Sequence, residues 1–187
     1  MYTYYNAHPK GLSVGDCVKR AITLAAEMDY MEVQRELNRY KKITGAKSFN
    51  SDYNPHKYVE NVLHGVKLSF PAEKGKPRMN GQRFCEAYTK GRYILNMAGH
   101  WSCCVDGVIY DTWDCSDKCV YTAYKIVPLS VINNLKNCCT YEYKSPTKGI
   151  VRIYDGNGKS VERVIDPRLK DGYIKCLEDT GYNFVEF

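Results

Sequence analysis

The sequence predicts an α+β fold with N-terminal helices packed on an antiparallel β-sheet. Three observations carry this. Residues 17–28 and 31–43 place apolar side chains at helical spacing. Residues 92–127 alternate with the period of strands. Between two β-forming runs lies Asp106-Gly107, a two-residue hairpin signal that requires positive φ. Helix-period segments first and alternating segments later make an α+β arrangement.

Residues 2–15 read as irregular, with Tyr2, Tyr4 and Tyr5 either in a short strand or across the core, and with Pro9 and Gly11 in a loop. Ser13 or Asp16 can cap the helix that follows. That helix carries Val18, Ala21, Ile22, Ala25 and Met28 along one stripe and is expected to be central. The second helix, 31–43, turns Val33, Leu37 and Tyr40 inward and Arg35, Arg39, Lys41 and Lys42 outward. A polar loop over 45–55 precedes a short helix at 55–63, with His56 and His64 expected on the surface. A short strand at 66–70, a loop at 71–77 and a helix at 79–88 lead to the strand 92–97, where Tyr93-Ile94-Leu95 reads as buried on both faces. The hairpin 100–114 and a strand at 118–127 complete one antiparallel sheet. A short helix is expected at 128–137. From Ser145 the character changes: strands 150–154 and 160–165 flank a turn at 155–158, then come a helix at 169–179 and a strand at 182–187. Two segments follow, a main domain 1–145 and a ββαβ tail 146–187, the tail being either a small appendage or an extension of the main sheet.

The 187 residues are 44% hydrophobic and 26% charged, the balance of an ordinary globular chain. No apolar run approaches the roughly 20 residues of a membrane span, and the start Met1-Tyr2-Thr3-Tyr4-Tyr5-Asn6 lacks the basic and apolar regions of a secretory signal. The expected location is the cytoplasm, where the nine cysteines stay mostly free thiols. The pairs Cys103-Cys104, Cys115/Cys119 and Cys138-Cys139 do not match structural-zinc spacing, so no metal and no cofactor is expected. The net charge of +6 allows an acidic partner without demanding one. The basic helix face resembles no nucleic-acid reader and is taken as solvated.

The hairpin carries the chemistry. If Val105 pairs with Val108, then Cys103 faces Tyr110, Ser102 faces Asp111 and His100 faces Trp113. His100, Ser102, Asp111 and Trp113 share one face, with His100 and Asp111 diagonal neighbours roughly 7–8 Å apart at Cα. Asp114 is the competing partner for His100, but a regular strand turns it away. Upstream, Cys17 stands in the first turn of its helix, where free N–H groups and the helix dipole lower a thiol pKa. A buried structural cysteine is an equally good reading from position alone.

The segments Asn6-Ala7-His8-Pro9-Lys10-Gly11, Gly15-Asp16-Cys17-Val18-Lys19-Arg20-Ala21, Gly99-His100 and Asp106 to Asp114 resemble a group of small phage and bacterial proteins with a papain-like fold. The Asp-Cys pair and the His-to-Asp hairpin are similar to the bacteriocin-leader cysteine peptidases, over roughly residues 6–127. The resemblance implies a papain-like cysteine hydrolase, a peptidase or isopeptidase. Cys17 would be the nucleophile, His100 the proton carrier and Asp111 the orienting carboxylate. Papain-like enzymes place a Gln before the cysteine as oxyanion donor, and none occurs between Met1 and Cys17. The Cys17 N–H, with Ser13 or Asn6 as side-chain donors, is the expected substitute. The implied partner is a peptide or protein substrate, a host protein if the chain is phage-encoded. Two alternatives stand beside this: an acyltransferase of transglutaminase type using the same triad, and a non-enzymatic binding protein on a peptidase-like frame, for which the 17 tyrosines and the basic charge would suit a binding surface.

Overall fold

The computed structural model describes residues 1–45, 53–128, 131 and 135–185. The chain divides into two compact units, Met1–Leu129 and Ser130–Phe187. Each mixes helix and strand, so the α+β class holds.

The first unit opens with strand β1 (Tyr2–Tyr4), followed by helices α1 (Cys17–Ala26), α2 (Tyr30–Thr44) and α3 (Tyr53–Asn61). Then come β2 (Val66–Ser69), α4 (Gly81–Ala87), β3 (Arg92–Met97), β4 (His100–Val105), β5 (Val108–Asp111) and β6 (Val120–Ile126). The six strands form one sheet in the order β1-β5-β4-β3-β6-β2. Strands β2 to β6 pair antiparallel, as expected. β1 is the exception: it lies parallel to β5, with Tyr2 opposite Ile109 and Tyr4 opposite Asp111. The sheet is therefore mixed, because the N-terminal tyrosines extend the edge that β5 would otherwise leave open.

Period-two alternation gives the sheet two apolar faces. On one, Ile94, Trp101, Cys103, Tyr124 and Ile126 pack with Ile22 and Ala25 of α1, Val33 and Leu37 of α2, and Tyr58 and Val59 of α3. On the other, Tyr93, Leu95, Met97, Cys104 and Ile109 pack with Phe84 and Cys85 of α4. The aromatic rings of Phe84 and Tyr88 stack 4.4 Å apart there. β3 is buried on both sides, with Tyr93, Ile94 and Leu95 all in the core, and so is β4 through Cys103 and Cys104.

The hairpin turn has the predicted chemistry. Asp106 and Gly107 have φ of 48° and 76°, and Asp106 Oδ1 accepts the Gly91 N–H at 2.8 Å, tying the turn to the start of β3. The register Val105–Val108 and Cys103–Tyr110 is the expected one. Helix starts follow their cap residues less uniformly. Asp29 caps α2 and Asn80 caps α4 through their side chains. Neither expected cap serves α1: Asp16 holds the N-cap position, but its carboxylate makes no capping bond. His56 also departs from expectation. Its Nδ1 lies 2.6 Å from the Tyr124 hydroxyl and its ring 4.8 Å from Trp101, so it is a half-buried part of the helical layer rather than a surface histidine.

In the second unit, β7 (Cys138–Ser145), β8 (Lys148–Tyr154), β9 (Ser160–Ile165) and β10 (Asn183–Phe184) form a separate sheet in the order β10-β7-β8-β9. A 3-10 turn at Pro167–Leu169 leads into helix α5 (Lys170–Asp179). The division falls at 129/130 rather than 145/146, because the change in sequence character at Ser145 marks the β7–β8 hairpin turn inside this unit. The tail makes its own sheet with β7, a strand the sequence pattern did not announce, instead of extending the first sheet. Half of the short helix expected at 128–137 falls outside the described residues.

Candidate active site

The first turn of α1 and the start of β4 meet at one end of the six-stranded sheet. Cys17 opens the helix and is half-buried. The His100 imidazole and the backbone of Trp101 and Val18 are the neighbours that act on its thiol. Burial alone would push the Cys17 thiol pKa up; the neighbouring imidazole, with its charge, and the backbone of Trp101 and Val18 outweigh it, and the net displacement is downward.

The other side of the imidazole belongs to Asp111. His100 Nε2 lies 2.7 Å from Asp111 Oδ2. With Nε2 committed, Nδ1 is the ring nitrogen open to the thiol. Burial works against the imidazolium, but the hydrogen bond to Asp111, the neighbouring Cys115 and Cys17 thiols and the Asp111 charge raise the His100 pKa to about 11. Asp111 responds in the opposite sense. Its burial would raise the carboxyl pKa, whereas the bonds from His100 and the Thr112 N–H, with the neighbouring Ser102 hydroxyl, lower it. Ser102 Oγ is buried with no close partner in hydrogen-bond geometry, which leaves its hydroxyl free to turn toward this carboxylate. Trp113 lies 5.3 Å from the His100 ring, on the predicted shared face, and is 41% exposed. The Lys118 ammonium sits 5.5 Å from the Trp113 ring on its own contact.

Asp114 does not hold the histidine. It is exposed, and its Oδ1 accepts the Ser116 N–H at 3.0 Å in the turn after β5. Of the proposed oxyanion donors, Ser13 is exposed. Asn6 is engaged within its own loop, its Nδ2 donating to the Leu12 carbonyl at 3.2 Å and its Oδ1 accepting the His8 N–H at 3.0 Å. The Cys17 N–H, one of the free donors at a helix start, remains as the backbone candidate.

Sequence reasoning missed Cys115. The turn at 112–115 folds back so that its Sγ reaches 3.8 Å from Asp111 Oδ2. His100, Asp111 and Cys115 then bring three donor atoms within 4.8 Å of one another, a set that could in principle ligate a metal. The spacing argues for the hydrogen-bonded form. Two ligand atoms about 2.0 Å from a tetrahedral zinc stand about 3.3 Å apart, whereas His100 and Asp111 stand at 2.7 Å. The Arg20 guanidinium, 3.9 Å from Asp111 Oδ1, further disfavours a second cation there. The pairing of Arg20 with Asp16 also escaped the sequence reading, although their i, i+4 spacing at the start of α1 was a visible signal.

No protein-family model, curated protein or solved structure matches this chain. Among the described residues, no helix is long and apolar enough to cross a membrane.

Proposed function

We propose that the chain is a papain-like cysteine hydrolase that cleaves a peptide or isopeptide bond. One observation carries this reading: a carboxylate holds the His100 imidazole at 2.7 Å through Nε2, and the same imidazole neighbours the helix-start thiol of Cys17 closely enough to lower its pKa. In this reading the Cys17 thiolate attacks the substrate carbonyl carbon, and His100 delivers its proton to the departing amine as the C–N bond breaks. Water, deprotonated by His100, then attacks the acyl-enzyme; the thioester C–S bond breaks and Cys17 leaves as thiolate. Asp111 keeps the ring oriented and balances its charge throughout. If an amine replaces water in the second step, the same intermediate gives acyl transfer.

Sub-stoichiometric iodoacetamide near neutral pH, followed by tryptic mass spectrometry, tests the reading. Cys17 should be modified before the other eight cysteines, and His100→Ala should slow that modification. First labelling at Cys103 or Cys115, or labelling of Cys17 that ignores His100, would instead favour a binding protein on a peptidase-like frame. Cys103 is a strong internal control, because burial pushes its thiol up to about 12.

A further inference from the structure

Asp16 immediately precedes the nucleophile and is only 2% exposed, yet it spends neither oxygen on capping α1. Oδ2 accepts the Tyr30 hydroxyl at 2.7 Å, and Oδ1 meets the Arg20 guanidinium. The same guanidinium reaches the Val14 carbonyl at 3.3 Å through Nη1 and faces Asp111 Oδ1 at 3.9 Å through Nη2. The Arg20 side chain is 10% exposed, and its buried Nε has no hydrogen-bond partner. A buried carboxylate–guanidinium–carboxylate row costs desolvation that apolar side chains would avoid, so it calls for a reason other than stability. Arginine suits the task because its planar fork can address two carboxylates at once, which a lysine ammonium does less well.

Asp111 is thereby held from two directions. Its Oδ2 faces His100, and its Oδ1 faces Arg20 and accepts the Thr112 N–H at 2.7 Å. We infer that Arg20, held by Asp16 and Tyr30, is a positioning residue that fixes the Asp111 carboxylate against His100. The inference rests on the Cys17–His100 chemistry proposed above. Helix α1 carries both the nucleophile and this tether, so any displacement of the helix relative to β5 moves Cys17 and the Asp111 clamp together. Because Asp16 is nearer to the guanidinium than Asp111 is, the charge of Arg20 is largely met on the Asp16 side. Its effect on His100 is then one of geometry.

The test compares the pH dependence of Cys17 alkylation, the NMR titration of the His100 ring and thermal stability across variants. Removing Arg20 alone strands a buried Asp16, so the principal variant is the double change Asp16→Asn with Arg20→Met, which deletes both charges. It should move Cys17 alkylation to higher pH, slowing it about tenfold at pH 6, and lower the His100 titration midpoint. Arg20→Lys, which keeps the charge and loses the fork, should show the same direction. Tyr30→Phe, the mildest change, should show a smaller one and keeps the test open if the double variant fails to fold. Unchanged alkylation and His100 profiles, with lowered thermal stability alone, would overturn the inference and leave Arg20 a structural ion pair. A His100 midpoint that rises would also overturn it, because charge and not position would then be at work. Should the unaltered protein show no His100-dependent alkylation of Cys17, the hydrolase reading itself falls, a result distinct from either of these.

Discussion

His100 Nε2 and Asp111 Oδ2 lie 2.7 Å apart, on adjacent strands of a hairpin whose two-residue turn sets their register. Asp114, three residues further on, faces solvent. Asp111→Asn should therefore lower turnover of fluorogenic peptide amides by on the order of 10²-fold or more, while Asp114→Asn should leave it within a few-fold of the unaltered protein. Equal losses from the two substitutions would remove Asp111 from the site.

The pH dependence has a defined sign. The Cys17 thiol pKa is lowered and that of His100 is raised to about 11, so alkylation of Cys17 should hold a plateau from below the ordinary thiol range up toward that value. The His100–Asp111 pair should also contribute to stability. The raised His100 pKa gives a contribution that is full below the unfolded value of 6.5 and lost as pH rises through about 11. The lowered Asp111 pKa gives one that is full above the unfolded 3.8 and lost as pH falls through the depressed value. Melting temperatures of the unaltered protein and Asp111→Asn should differ most between those two unfolded values and converge in strong acid.

Gly107 has φ of 76°, and a Cβ there would stand 3.0 Å from the Cys85 carbonyl oxygen and 3.3 Å from Thr89 Cα. Gly107→Ala should destabilise the fold by at least about 1–2 kcal/mol from backbone strain alone, measured by urea unfolding. Because this turn pins His100 opposite the end of β5, the same variant should also slow Cys17 alkylation in its folded state. Normal alkylation would show that the register survives without the turn.

Phe84 is fully buried on the face of the sheet away from α1. Phe84→Ala should cost about 3–5 kcal/mol of stability. Below its lowered melting temperature, Cys17 should still react selectively, since α1, which carries it, packs on the opposite face. Loss of selectivity in the folded variant would mean the two layers are coupled.

Local chemistry explains which of these features the sequence discloses. Asp106-Gly107 allows one favoured turn, and from it the pairing that brings Asp111 to His100 follows by counting. Cys17 is legible for the same kind of reason, since the apolar stripe of α1 begins beside it. The parallel pairing of β1 is not legible, because nothing in residues 2–4 names a partner strand so distant. Cys115 was hidden by an irregular turn, where side-chain direction follows no period. Asp16 was read as a possible cap because Asp before a helix usually caps; here Tyr30 and Arg20 compete successfully for its oxygens. His56 was placed on the surface by its polarity, whereas Trp101 and Tyr124 supply a ring contact and a hydroxyl that retain it.

Strand β1 bears on the order in which the protein becomes reactive. The Tyr5 N–H bonds the Asp111 carbonyl at 2.8 Å, and the Tyr2 hydroxyl reaches the same oxygen across a separation of 109 residues. Contacts closing so long a loop are entropically costly to form early and are among the slower to appear. During synthesis the first strand emerges long before β5 exists to receive it. The backbone beneath Asp111 is complete only once those distant segments have joined, so Cys17 emerges about ninety residues before the strand that holds His100 in place exists.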